Sequence, residues 1–113
     1  MLRPVAIAST GIYASLKLLD TTAHNVANAN TDGFKSRKVS FNEAGEGGVF
    51  TTTSKDLEPG SRYYLDGMAY EASNVDIASE TISLMTARHV LSLNAAVLKT
   101  SVEMEESLLD TFA

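Results

Sequence analysis

Apolar residues recur every seven positions at both ends of this 113-residue chain and lose that rhythm in between. Near the N-terminus Val5, Ile12, Leu19 and Val26 share one register, with Ser9, Leu16 and Ala23 at the alternate seam positions. Such spacing describes a helix with one narrow stripe rather than a broad globular face. Near the C-terminus Ile77, Leu84, Leu91, Leu98 and Phe112 form a second stripe, flanked by Ala95, Val102 and Leu109. A further set, Ile82, Val90, Leu93, Val97, Met104 and Leu108, widens that surface beyond what one partner helix covers. The expected fold is therefore mainly α with a small β insert: antiparallel, coiled-coil-like terminal helices flanking a middle segment rich in β-hairpin signals. The expected organisation is effectively one domain, with 1–34 and 73–113 paired and 35–72 inserted. A second helix of about 36 residues, roughly 54 Å, outruns a first helix over 5–28 of roughly 36 Å. Part of its stripe then lies beyond the reach of its own partner, which argues for assembly.

The first helix ends in an unusual run, Asn25-Val26-Ala27-Asn28-Ala29-Asn30-Thr31-Asp32-Gly33-Phe34-Lys35. Asn, Thr, Asp and Gly compete with helical hydrogen bonding or tolerate positive φ, so the run specifies a sharp corner, whereas an ordinary helix end needs one Gly or Asn. Beyond it, Gly45-Glu46-Gly47-Gly48 reads as a flexible loop, Val49 to Thr53 as a strand, and Glu58-Pro59-Gly60-Ser61 as a turn. Arg62 to Leu65 and Met68 to Glu71, parted by Asp66-Gly67, form a hairpin pattern. The final helix is expected from Ser73-Asn74-Val75-Asp76, which offers several caps, to about Asp110. Gly11 within the first helix costs about 1 kcal/mol relative to Ala, and its sharper reading is close approach by another helix.

A net charge of -5 argues against general attraction to nucleic acid or to an anionic membrane surface. The one basic knot, Lys35-Ser36-Arg37-Lys38, reads as a solvated loop. No cysteine is present, which excludes thiol catalysis, Cys-ligated zinc and disulfides. The apolar run Val5 to Ala8 is too short for the core of a signal peptide, and no stretch reads as a bilayer span, so neither a cleaved leader nor bilayer insertion is expected.

No constellation of residues points to an active site, a cofactor or a metal. Asp20 and His24 are placed to ion-pair, but Ser9 lies roughly 22 Å from His24 along the helix, far outside proton-transfer reach. His89 has no acidic neighbour one turn away, and Glu103, Glu105, Glu106 and Asp110 spread over more than one helix face without a calcium-type loop. Tyr63, Tyr64 and Tyr70 are explained by packing of a small sheet.

Two stretches of this pattern resemble the bacterial flagellar basal-body rod and hook proteins. The first is Ser9-Thr10-Gly11-Ile12 followed by the heptad helix and the Asn25 to Lys35 run; the second is Ser73-Asn74-Val75-Asp76-Ile77 with Glu80, then Asn94-Ala95-Ala96-Val97-Leu98-Lys99-Thr100, Met104 and Leu108-Leu109. The resemblance implies a short, proximal-rod-like structural subunit of the basal body, exported by the flagellum's own apparatus without a cleaved signal and periplasmic after export. It implies self-assembly through the terminal helices into a helical tube with like and homologous rod or hook subunits. Val5, Ile12, Leu16, Leu19 and Val26 would pack with Ile77, Leu84, Leu91, Leu98 and Val102 in the tube wall, Leu109 extending that seam. Asn25, Asn28, Asn30, Gly33 and Phe34 would turn the chain toward the insert and meet neighbours, and Asn94 belongs to the second matching stretch. The chain departs from the family pattern at Leu91, where members often carry an aromatic, and at His89, where an Arg is usual. The alternative is a helical-hairpin adaptor or export-associated binding protein using the same stripe.

Overall fold

The computed structural model describes residues 2–113; Met1, the first residue of the expected N-terminal segment, lies outside the described residues. Helix α1 (Leu2–Ala27) is followed by strands β1 (Arg37–Glu43), β2 (Val49–Lys55), β3 (Arg62–Leu65) and β4 (Met68–Glu71), and helix α2 (Ile77–Phe112) closes the order. The strands form two separate antiparallel hairpins, β1 with β2 and β3 with β4. Two helices thus flank a small two-hairpin β segment, as the alternation of patterns in the chain implies.

The helices pack extensively and run antiparallel, because partners descend in α2 as they ascend in α1: Gly11 faces Asn94 and Asn25 reaches Glu80. This register sets the start of α1 opposite about residue 103, leaving roughly the last nine residues of α2 as an overhang. The most deeply buried positions of the pair are small or polar. Among the described residues Ala8, Ala14 and Ala87 are the buried hydrophobic ones, and Ser15, Thr22 and Asn25 are the largest fully buried side chains. At Gly11 an added Cβ would lie 2.5 Å from the Asn94 side-chain oxygen, so glycine there is what permits the close approach.

The β1–β2 hairpin lies along α1. Its base is tied to Asn25 through Arg37, and its far end is tied to Thr10, whose hydroxyl accepts from the Val49 amide at 3.1 Å. Fifteen helical residues span about 22 Å and seven strand residues about 24 Å, so hairpin and helix are length-matched. β1 contradicts the expected solvated loop at Arg37 and Lys38. Lys lowers intrinsic strand tendency, but the alternation of Val39 and Phe41 with polar neighbours and seven paired positions against β2 outweigh it. The β3–β4 turn follows the pattern expected of Asp66-Gly67, both residues having positive φ (51° and 81°), the geometry of a tight hairpin turn.

Asp76 caps α2, its carboxylate accepting from the Ala78 amide at 3.0 Å and from Ser79 Oγ at 2.8 Å. The helix continues to Phe112, two residues past the expected end. The chain is elongated, 79 × 24 × 14 Å, with a radius of gyration of 20.0 Å against about 13 Å for a compact domain of this length.

Candidate assembly surface

The corner after α1 is held by two asparagines. Asn25, 1% exposed, donates from Nδ2 to the Arg37 carbonyl (2.8 Å) and to Glu80 Oε1 (2.9 Å), while its Oδ1 accepts from the Arg37 amide (2.9 Å). One side chain therefore joins α1, β1 and α2. Asn74 does the same for the opposite side of the corner: its Oδ1 accepts from the Ser36 amide (2.6 Å), and its Nδ2 donates to the carbonyls of Asp56 and Glu58 (both 3.0 Å). In the sequence Asn74 reads only as one of several helix caps. Asp76 takes that role, and nothing local distinguishes a cap asparagine from one that staples three distant segments.

The remaining corner residues are placed by the same network. Asn28 donates to the His24 carbonyl and accepts from Thr31 Oγ1, continuing the helix end as a turn. Asn30 is exposed, and Gly33, with φ of +69°, donates its amide to the Glu71 carbonyl at 2.8 Å. Phe34 meets His24 edge-on with ring centres 5.5 Å apart, so His24 faces an aromatic ring, and Asp20 pairs instead with Lys17. Tyr63 donates to Asp32 at 2.6 Å and stacks on Tyr70, which ties β3–β4 to the corner; hydrogen bonding to Asp32 raises the Tyr63 hydroxyl above its ordinary value.

Two of the three cations of the basic knot are paired. Lys35 bonds Glu71 and the Glu58 carbonyl, and Lys38 reaches Asp56 at 2.5 Å. Hydrogen bonds from these lysines hold the Asp56 and Glu71 carboxyls below the usual carboxylate range, and Ser79 and the Ala78 amide do so for Asp76. The Lys38 ammonium is correspondingly raised by its hydrogen bond to Asp56.

Along the helices, the structure separates the expected stripe from the buried seam. Within the chain, Val5, Ile12, Leu91, Asn94 and Leu98 are half-buried, whereas Leu16, Leu19, Val26, Ile77, Leu84, Val102 and Leu109 are exposed. The close packing between helices is carried one position around, by Gly11, Ser15, Asn25 and Ala87, leaving much of the apolar stripe outward. Periodicity of large apolar residues finds the outward stripe; it is blind to a seam of small and polar ones. The accessible surface, 8024 Å², exceeds the roughly 6,000 Å² typical of a folded 12.1 kDa monomer by about 2,000 Å².

The chain is thus an elongated helix pair with a stapled corner and an outward apolar stripe. Residues 7–35, which span most of α1 and the corner, match the family described as flagella basal body rod protein. That match, over α1 and the corner alone, supports similarity of this segment to the flagellar rod family. The family is not enzymatic. No curated protein matches the chain by sequence. Among the described residues, no helix is long and apolar enough to cross a membrane.

Proposed function

We propose that this chain is an axial subunit of the flagellar basal-body rod. It self-assembles through its terminal helices into a tube that transmits torque and passes distal subunits. In this reading the paired helices are the assembly core, the 35–72 insert faces outward, and the partners are like and homologous rod or hook subunits, reached through the flagellar export apparatus. Val5, Ile12, Leu16 and Leu19 on α1 and Leu84, Leu98, Val102 and Leu109 on α2 serve neighbouring copies. The observation that carries the reading is the surplus of exposed surface on a chain whose corner matches the rod family. About 2,000 Å² is the size of a stable protein interface.

The test is the protein's location. It is expected in purified basal bodies; retention in the cytosol, bound to one partner, would replace the rod reading with the adaptor. Changing Leu109 to Asp is expected to abolish entry into basal bodies while the purified variant keeps its helical content.

A further inference from the structure

We propose that the overhanging end of α2 in one copy docks into an apolar furrow on the helix pair of a second copy, with Arg88 at the furrow rim pairing with Glu106 and Asp110. The inference rests on the self-assembly reading and names the surfaces that meet. The furrow, about 290 Å³, lies between the helices and is lined by Ser15, Leu19, Leu84, Ala87, Arg88 and Leu91. Arg88 is its one charged group and makes no ion pair among the described residues.

The overhang has complementary chemistry. From Met104 onward it carries Glu105, Glu106 and Asp110 and no basic residue. Leu109 and Phe112 are 71% and 82% exposed. Helical periodicity sets Leu109 one turn from both Phe112 and Glu106, with Asp110 one turn from Glu106, so an apolar knob is bordered along one edge by two carboxylates. The furrow offers the converse, an apolar hollow with a cation at its edge. A carboxylate and a guanidinium make a charge-assisted, directional pair, which fixes register as well as adding attraction.

The occupant comes from another molecule. Helix α2 is continuous from Ile77 to Phe112, so Leu109 stands about 32 Å from Arg88 along one rod and cannot fold back onto it. Copies stacked in the same direction repeat the contact with that same stagger, each offering one knob and one furrow, and the contact extends without closing.

Sedimentation of the full chain over a concentration series tests the pairing. Arg88→Glu, and separately the double change Glu106→Lys with Asp110→Lys, are each expected to weaken self-association at least about tenfold. Combining all three changes is expected to restore it to within about threefold of the unmodified chain. The altered residues are exposed, so circular dichroism is expected to be the same for all forms. Unweakened association in either variant, or a combined variant as weak as its parents, overturns the docking. If the charge swap fails while the protein is still found in basal bodies, the docking falls and the rod role stands. If the swap behaves as expected while the protein stays cytosolic, the rod role falls and the docking stands.

Discussion

The two ends of the helix pair are built on opposite principles. At the corner, the buried amide of Asn25 and the half-buried amide of Asn74 join three segments each through directional hydrogen bonds, and partly covered ion pairs surround them. At the other end, α2 runs past α1 with Leu109 and Phe112 exposed and acidic residues beside them. Directional bonds specify one geometry at a cost if any partner is removed, whereas exposed apolar surface is non-directional and gains only when something covers it. One end is finished within the chain, and the other leaves apolar surface uncovered.

Changing Asn25 to Leu tests that contrast most severely. It leaves the Arg37 backbone and Glu80 without their partner in a buried place, and the monomer is expected to lose about 3 kcal/mol in urea unfolding. Wild-type-like stability would show that the corner is held by something other than its amides. Gly11→Val comes next, with an expected loss of about 2 kcal/mol as the added methyls meet Asn94. Gly11→Ala paired with Asn94→Ala is expected to be more stable than Gly11→Ala alone, since the smaller partner vacates the space.

Acid is expected to loosen the corner further. Asp56, Glu71 and Asp76 have folded-state pKa values below those of the unfolded chain, so their contribution is complete above the ordinary carboxylate range and disappears as pH falls through the lowered values. The melting temperature should therefore fall between pH 6 and about pH 3, and less so in a Lys35→Met variant, which already lacks one of the pairs. Smallest of all is the expected effect of Leu109→Asp on the monomer, within about 0.5 kcal/mol because the side chain is exposed. A large loss there would mean that the overhang is clamped within the chain after all.

The same contrast explains what the sequence made legible. Both helices and the β3–β4 hairpin are written locally, in periodicity and in an Asp-Gly turn, and they fold as the pattern implies. Strand β1 is disguised by Arg37, Lys38, Asn42 and Glu43, and becomes a strand through its pairing with β2. The α1–α2 seam was hidden for a different reason. Its residues are small or polar, and what selects them is the closeness of the opposite helix, a property of the pair that neither sequence segment carries alone. Asn25 lay in the conspicuous corner run, yet its bond to Glu80 spans 55 positions of chain.

The length match between α1 and the β1–β2 hairpin has a consequence for how such a chain can grow. Because Arg37 is anchored at Asn25 and Val49 at Thr10, an insertion within either strand or within that stretch of helix would pull one anchor off its partner. Among the described residues the Asp66-Gly67 turn carries no such tether to either helix, so extra sequence entering there would hang from the hairpin without disturbing the frame. Enlargement of this architecture is thus accommodated at that turn, where added sequence leaves the helices and the corner in place.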